Sequence, residues 1–185
     1  MGSSLITVVI PARDVAAFLP WTLAGLAEQD YDGEWNVVVV DNASSDDTAA
    51  VADAAPVVSQ VVRITGTGPA DSRNAGVAAS HGDRIAFLDA DCRPTASWLS
   101  SGVRALEQAD LVQGAVAPDP SATLGPFDRT LWVPRFTGLF ETANLFVSRE
   151  MFERVGGFQH WMGEGAGNAR PFGEDVAFGW SARRL

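Results

Sequence analysis

The 185-residue chain is 46% hydrophobic and 19% charged, a composition typical of a globular protein and not of a disordered one. Its formal net charge is −10, and all 13 basic residues are arginines. An acidic chain without lysine excludes the basic footprint of a nucleic-acid-binding protein and disfavours purely electrostatic binding to anionic lipid. The length fits one domain with a hydrophobic core of its own.

The sequence also bears on the compartment. Its single cysteine, Cys92, has no partner for an internal disulfide, so nothing points to an oxidising environment. The residues before the first apolar run are too few and too uncharged for a signal peptide. No apolar run approaches the roughly 20 residues that cross a bilayer. We therefore expect a cytoplasmic protein without a transmembrane segment, and we leave peripheral association with a membrane open.

Strand and helix patterns alternate along the first half of the chain. Residues 36–41 contain four consecutive valines, which is typical of a strand covered on both faces. Such alternation predicts βαβ units and a mostly parallel sheet. The predicted strands are residues 6–12, 36–41, 57–65 and 84–88, and the predicted helices are residues 15–29, 45–55 and 71–80.

The second half is less regular. A Pro/Gly-rich stretch at residues 118–126 and a glycine-rich stretch at residues 156–173 predict loops. We find no internal repeat and no linker between domains. The predicted helices are residues 98–107, 149–154 and 174 to the end, and the predicted strands are residues 111–116 and 142–148.

Polar residues collect where three predicted strands end. In open parallel sheets, ligands bind at the carboxyl ends of the strands. Any one of these segments is equally well explained by turn and cap residues, but their occurrence on three strand ends favours one binding crevice. The segments are Pro11-Ala12-Arg13-Asp14, Asp41-Asn42-Ala43-Ser44 and Asp89-Ala90-Asp91.

The last of these segments has the chemistry of a metal site. Asp89 and Asp91 leave a strand two residues apart, so both carboxylates can face one site once the chain turns out of the pleat. Carboxylate oxygens suit a hard divalent cation, Mg²⁺ or Mn²⁺. Such a cation can bridge the two phosphates of a nucleotide sugar and stabilise the departing nucleoside diphosphate.

Taken in order, the motifs of the chain resemble those of glycosyltransferase family 2, a family of inverting enzymes with the GT-A fold. No single motif is specific, but their order and spacing cover nearly the whole chain. They are residues 7–14 (TVVIPARD), 40–48 (VDNASSDDT), 68–76 (GPADSRNAG), 89–91 (DAD), 142–149 (TANLFVSR) with 155–158 (VGGF), and 173–175 (GED).

The resemblance implies an α/β fold of GT-A (Rossmann-like) type, with a mostly parallel central sheet and flanking helices. It implies one domain over residues 1–185, with a nucleotide-binding half at about 1–92 and an acceptor-side half at about 93–185. The implied reaction is the inverting, metal-dependent transfer of a sugar from a nucleotide-diphosphate donor, a UDP-sugar, to an acceptor hydroxyl. The acceptor is a carbohydrate, a lipid-linked molecule or a small molecule.

The resemblance also implies residue roles. Asp41 would accept a hydrogen bond from the ring N–H of uracil, Arg73 would lie near the diphosphate, and Asp175 would be the general base. Asp91, with Asp89, would bind the metal. The implied donor-binding residues are Pro11, Ala12, Arg13, Asp14, Asp41, Asn42, Ser44, Arg73, Asn74, Asp89 and Ala90, and the implied acceptor-side residues are Asn144, Trp161 and Glu174.

The chain departs from the family pattern at several points. Asn42 stands where an acidic residue is usual, and Ala43 stands where glycine is usual, so we expect the turn to avoid positive φ there. The strand and histidine that commonly follow the Glu-Asp motif are absent, as is the Gln-x-x-Arg-Trp motif of processive synthases. We therefore expect a non-processive core, either cut from a longer protein or naturally short.

Two other functions compete with this interpretation. A non-catalytic domain of the same fold, which binds a nucleotide or scaffolds a partner, would explain Asn42 and the missing segment. Glu174 and Asp175 would then be acidic residues that stabilise a helix N-terminus. A sugar-nucleotide pyrophosphorylase ranks last, because the loop after the first strand lacks the glycines of that class.

Overall fold

The computed structural model describes residues 5–66, 68–121, 131–159 and 173–185. Strands and helices alternate through the first half of the chain, as the sequence predicts. In chain order the elements are β1 (Ile6–Ala12), α1 (Leu19–Ala27), β2 (Trp35–Asn42), α2 (Thr48–Ala54), β3 (Gln60–Ile64), α3 (Pro69–Ala78), β4 (Arg84–Leu88), α4 (Trp98–Leu106), β5 (Leu111–Gln113), β6 (Asn144–Ser148), α5 (Arg149–Val155) and α6 (Glu174–Ala182).

The strands form one six-stranded sheet in the order β3-β2-β1-β4-β6-β5. Strands β1 to β4 are parallel to one another. Strand β6 runs antiparallel to both β4 and β5. The predicted α/β class with a mostly parallel sheet is confirmed, and the single antiparallel strand, β6, is the part of the topology that the sequence did not predict.

The valines of β2 supply both faces of the sheet. Val37 and Val39 belong to the core under α1 and α4, whereas Val38 and Val40 belong to the core under α3, α5 and α6. All four are almost completely buried. Burial of a valine side chain contributes roughly 1.5–3 kcal/mol before entropy costs, which is why this run forms a central strand.

Helix α3 packs unusually close to the sheet. A Cβ at Gly76 would lie 2.4 Å from Cγ1 of Val9, so only glycine allows this approach. The close packing keeps the first turns of α3 near the carboxyl ends of the neighbouring strands. It therefore positions Ser72 and Arg73 at the edge of the sheet where the candidate site lies.

Several element boundaries differ from the predicted ones. Helix α1 begins at Leu19 and not near residue 15; residues 16–18 form a turn in which the Val15 carbonyl accepts from the amides of Phe18 and Leu19. Strand β5 ends at Gln113, and Val116 forms an isolated bridge with Val133 instead.

None of the helices in the described ranges is long and apolar enough to cross a membrane. The cytoplasmic location stays a prediction from the sequence.

Candidate functional site

A cleft of about 800 Å³ opens at the carboxyl ends of β1, β2 and β4, beside the first turns of α3. This volume lies within the range of small-molecule sites. The structure therefore brings the three predicted polar segments together around one cavity. The predicted site residues that line it are Pro11, Ala12, Arg13, Asp14, Asn42, Arg73, Asp89, Ala90 and Asp91.

The loops after β1 and β2 are joined by side-chain hydrogen bonds. The Asp14 amide donates to Oγ of Ser44 at 3.0 Å, and the Asp14 carboxylate accepts from the amide and hydroxyl of Ser45 at 2.7 and 2.9 Å. The Ser45 hydrogen bonds lower the pKa of Asp14. Both Asp14 and Ser44, predicted as donor contacts, thus support the wall of the cleft.

A second pair of hydrogen bonds joins the same two loops. The Val15 amide donates to Oγ1 of Thr48 at 2.8 Å, and the Ala16 amide donates to Oδ2 of Asp46 at 3.0 Å. Oδ1 of Asp46 also accepts from the Thr48 amide, at the start of α2. Sequence reasoning missed Asp46 and Thr48 as supports of the cleft, although both lie within the strand-two motif.

The prediction for the backbone of Ala43 is wrong. The turn after β2 was expected to avoid positive φ because alanine stands in place of glycine, yet Ala43 has a φ of 53°. Asp14, across the two-loop network, has a φ of 51°. The hydrogen bonds between the loops hold both residues in the left-handed region, where a side chain is normally disfavoured.

Asp41 and Asn42 end β2 in different environments. The Asp41 side chain is buried, and its Oδ1 has no hydrogen-bond partner among the described residues. Asn42 is fully engaged: its Oδ1 accepts from the Gly66 amide at 2.8 Å, and its Nδ2 donates to Oγ of Ser72 at 3.1 Å and to the Gly68 carbonyl at 3.3 Å. A carboxylate has no donor for that carbonyl, which explains why an amide stands here.

Arg73 is the buried cation of the cleft. Its side chain is 6% exposed, with Nη2 3.3 Å from Oδ1 of Asp89 and Nη1 3.0 Å from Oε1 of Glu174. The guanidinium carbon lies 5.6 Å from the ring centroid of Phe158. Its Nε is a buried donor without a hydrogen-bond partner among the described residues.

Two carboxylates at the end of β4 form the candidate metal site. Asp91 is exposed, with Sγ of Cys92 3.8 Å from its Oδ1, whereas Asp89 is half-buried against Arg73. Burial raises the pKa of Asp89; Arg73 opposes this shift and Asp91 adds to it. Burial also raises the pKa of Cys92, to about 12, so this thiol is a neutral neighbour.

The carboxylates of Asp89 and Asp91 fit a metal ion whose other ligands are supplied by a bound substrate and water. Among the described residues, no group of three or more His, Cys, Asp or Glu side chains could enclose a metal ion. Mg²⁺ is commonly bound through one or two carboxylates plus substrate phosphates and water. Asp91 with Asp89 matches that pattern, and a protein-only metal cage does not.

Glu174 and Asp175 form the first turn of α6. Glu174 is buried and pairs with Arg73, so it lies beside Asp89 and not apart from the donor side. Asp175 accepts a hydrogen bond from the Val176 amide at 2.8 Å. Burial raises the pKa of Asp175 and the Glu174 charge adds to the rise, whereas Val176 and Arg73 oppose it. Asp175 is thus a carboxylate with increased proton affinity.

Two predicted contact residues have structural hydrogen bonds instead. Nδ2 of Asn74 donates to the Phe158 carbonyl at 2.8 Å, and its Oδ1 accepts from the Phe158 amide at 2.9 Å. Oδ1 of Asn144 accepts from Nε1 of Trp98 at 2.9 Å, and its Nδ2 donates to the Ala115 carbonyl at 2.8 Å. Neither is among the described residues that line the cleft. Trp161, the third predicted acceptor-side contact, lies outside the described residues.

The six-stranded sheet and the cleft at its strand ends define a GT-A type α/β protein. The chain belongs to glycosyl transferase family 2, whose family model matches residues 7–159. The predicted family is therefore confirmed.

The chain is similar to named glycosyltransferases. It is 29% identical to Glycosyltransferase AglE of Haloferax volcanii over 197 residues, which covers 92% of this chain and 65% of the relative. It is 32% identical to a PGL/p-HBAD biosynthesis glycosyltransferase of Mycobacterium tuberculosis over 124 residues, covering 63% of this chain and 48% of the relative. The chain thus spans between about half and two thirds of the length of these relatives.

Solved structures have the same fold. TarS of S. aureus superposes with a TM-score of 0.74 at 18% identity, covering 96% of this chain and 33% of TarS. The mannosyltransferase PcManGT from Pyrobaculum calidifontis superposes with a TM-score of 0.64 at 28% identity, covering 86% of this chain and 48% of that protein. The latter structure is a complex with GDP-Man and Mn²⁺.

Proposed function

We propose that this chain is the catalytic domain of an inverting, metal-dependent glycosyltransferase that uses a nucleoside diphosphate sugar, a UDP-sugar by preference. The observation that carries the proposal is the convergence, at one cleft, of a buried arginine and an exposed carboxylate. Arg73 supplies a guanidinium that lines the cleft between Asp89 and Glu174, and Asp91 supplies an exposed carboxylate. These are the groups that a diphosphate and its counterion need.

The donor would bind with its base toward the end of β2. Asp41, at the end of β2 next to Asn42 of the cleft, would accept a hydrogen bond from the ring N–H of uracil through its carboxylate. Arg73, which lines the cleft, would donate to a diphosphate oxygen. The loops after β1 and β2 are already joined by hydrogen bonds. Binding of the nucleotide against them would therefore cost little conformational entropy of the loops.

Asp91 and Asp89 are the residues that would hold Mg²⁺ or Mn²⁺. A cation bound by them supplies positive charge that stabilises the departing nucleoside diphosphate.

Asp175 is assigned as the general base. Its carboxylate takes the proton from the acceptor hydroxyl while that oxygen forms a bond to the anomeric carbon. The bond from the anomeric carbon to the diphosphate breaks in the same displacement, and its electron pair leaves with the nucleoside diphosphate. One displacement inverts the anomeric centre. The burial that raises the pKa of Asp175 makes it a better base than an exposed aspartate.

A non-catalytic nucleotide-binding or scaffolding domain is the second candidate. The observation that favours it is the position of Asp175, which is not among the described residues that line the cleft. Both candidates predict nucleotide binding, but only the catalytic one predicts turnover. A turnover assay therefore separates them.

Calorimetric titration of UDP and GDP, with and without Mn²⁺, tests the donor site. We expect Mn²⁺-dependent binding by the wild-type chain, with UDP preferred, and loss of the Mn²⁺ effect in Asp91→Ala. Asp32→Ala is the matched control, because Asp32 is an exposed aspartate before β2, at the opposite edge of the sheet. Absence of binding to a folded wild-type chain would refute the proposal.

Release of the nucleoside diphosphate from nucleotide sugars, with a panel of hydroxyl acceptors, tests catalysis. Asp175→Asn should keep the affinity for the nucleotide and lose turnover by a factor of about 10² to 10⁴. Wild-type kcat/KM should fall on the acid side with an apparent pKa above the usual range of aspartate. Equal, measurable turnover in wild type and Asp175→Asn would remove the base assignment. Absence of turnover in a folded wild-type chain that binds the nucleotide would favour the non-catalytic candidate.

A further inference from the structure

Helix α6 begins at a residue without a side chain to cap it. Gly173 precedes the helix with a φ of 97°, and its carbonyl accepts from the Ala177 amide. The next side chain, Glu174, is 9% exposed and ends on Nη1 of Arg73. The position of the first turn of α6 is therefore determined by a contact with α3 and not by a local cap.

A second contact between α3 and α6 runs parallel to the first. Asn74 holds the backbone of Phe158 through two hydrogen bonds, and the Phe158 ring packs against Phe178 of α6 with centroids 4.6 Å apart. Glu174 and Phe178 are four residues apart, so they project from the same face of the helix. Arg73 thus contacts this face of α6 directly, and Asn74, the next residue of α3, is linked to it through Phe158.

The two ends of the Arg73 contact differ in exposure. Glu174 is buried, whereas the Asp89 side chain is 35% exposed to the cleft. The guanidinium is a rigid planar fork, so Nη1, Nη2 and Nε move together. A donor that takes over the contact with the more exposed Asp89 leaves Glu174 as the carboxylate partner of the guanidinium, which strengthens the contact between Nη1 and Oε1 of Glu174.

We propose that Arg73 and Glu174 are positioning residues that couple occupation of the donor cleft to the placement of Asp175. The proposal rests on the proposed function, because it assumes that the cleft takes a nucleoside diphosphate. It adds that donor binding strengthens the contact between Arg73 and Glu174 and so restrains the first turn of α6 in its working position. Glu174 then contacts neither donor nor acceptor, and its effect on the reaction passes through Arg73 and the backbone of α6.

Hydrogen exchange of the α6 amides measures this coupling without turnover. We expect saturating UDP and Mn²⁺ to slow exchange at residues 176–182 on the order of fivefold or more in the wild-type chain. Glu174→Gln should bind UDP within about threefold of wild type and lose most of that protection. Glu150→Gln is the matched control, because Glu150 is an exposed glutamate in the first turn of another helix, α5.

Kinetics supply a readout that a purely structural role would not move. Glu174→Gln should lower kcat about 10- to 100-fold, since displacement of a catalytic group by about 1 Å has such effects, while KM for the donor changes little. Glu174→Asp keeps the charge and should recover part of both kcat and the α6 protection. If Glu174→Gln does not fold, Glu174→Asp is the variant to be measured in its place.

Each outcome separates the coupling from the proposed function. UDP-dependent protection of α6 that Glu174→Gln leaves intact would overturn the coupling and leave the donor site standing. Absence of protection in a wild-type chain that binds UDP would overturn the coupling as well. Absence of UDP binding by the folded wild-type chain would refute the proposed function and the coupling together. Protection without turnover in the wild type would support the coupling and refute the catalytic assignment alone.

Discussion

The substitution Ala43→Gly tests the strain in the turn after β2. Ala43 has a φ of 53°, is exposed, and is the residue of that turn for which the sequence favours negative φ. Its neighbour Ser44 accepts a hydrogen bond from the Asp14 amide, so the turn is held in place by the opposite loop. Removal of the methyl group changes the backbone energy and leaves those hydrogen bonds intact.

The expected gain follows from two opposing terms. A non-glycine residue in the left-handed region costs roughly 1–2 kcal/mol, which glycine does not incur. Glycine in turn stabilises the unfolded chain by about 0.4–1 kcal/mol through its greater conformational freedom. We therefore expect Ala43→Gly to raise the free energy of unfolding by about 0.5–1 kcal/mol. For a chain of this size the melting temperature should rise by about 1–4 °C.

Urea and thermal denaturation of the wild-type chain, Ala43→Gly and Ala24→Gly measure the change in the free energy of unfolding. The control is Ala24→Gly, because Ala24 is exposed inside α1, where glycine should lower stability by about 0.5–1 kcal/mol. Affinity for UDP should be unchanged in both variants, since neither side chain lines the cleft formed by the described residues. If Ala43→Gly destabilises the chain as much as Ala24→Gly does, Ala43 does not occupy the left-handed region and the account of this turn is wrong.

Three further predictions concern stability. Asn74→Ala loses both hydrogen bonds to the Phe158 backbone and should lower the free energy of unfolding by about 1–3 kcal/mol in urea, with Asn74→Asp, which keeps only the acceptor, in between. Arg149→Met loses donors to backbone carbonyls that follow α3 and should cost about 1.5–3 kcal/mol, with UDP affinity unchanged. Asp175→Asn should raise the melting temperature near pH 7.5. Burial raises the folded-state pKa of Asp175 above its unfolded value, so the stability of the wild type is fully present below the ordinary aspartate pKa and is lost as the pH rises through the raised folded-state pKa; the gain should vanish in scans below the ordinary aspartate pKa.

The sequence predicts the sheet well because its signals are local. Four consecutive valines mark β2 as a strand buried on both faces, and the structure places them alternately in two cores. The boundaries are less well predicted, because they depend on distant side chains. Residues 15–18 have a helical pattern, yet the chain forms only a turn there, where the amides of Val15 and Ala16 donate to the side chains of Thr48 and Asp46.

The cleft residues are predictable for a topological reason. Once four strands are known to be parallel, their carboxyl ends meet at one edge, and the polar residues that follow β1, β2 and β4 must meet there too. The sequence does not reveal which polar side chains are already engaged. Asn74 and Asn144 have the chemistry of ligand contacts, but each amide is occupied by backbone groups or by a tryptophan donor from remote segments.

The turn at Ala43 shows why a local rule can be wrong. Alanine disfavours positive φ, so a prediction from residue type alone excludes it. The Asp14 amide donates to Ser44 and the Asp14 carboxylate accepts from Ser45, which fixes the path of the loop, and the combined free energy of these hydrogen bonds can exceed a cost of roughly 1–2 kcal/mol. The competing interaction lies about 30 residues away in sequence, as the separation of the hydrogen-bonded pair shows.

The partner of Arg73 could not be identified from the sequence for a related reason. A buried guanidinium needs a carboxylate, but the chain has 23 acidic residues, and local spacing does not choose among them. The choice is made by the docking of α6, in which Phe178 packs on Phe158 and brings Glu174 to Arg73 across a separation of 101 residues. Residues 68–76 and 173–175, which are separate motifs in the sequence, therefore form one charged cluster in the fold. A substitution at Glu174 should accordingly be interpreted through the donor side of the cleft as well as through the acceptor side.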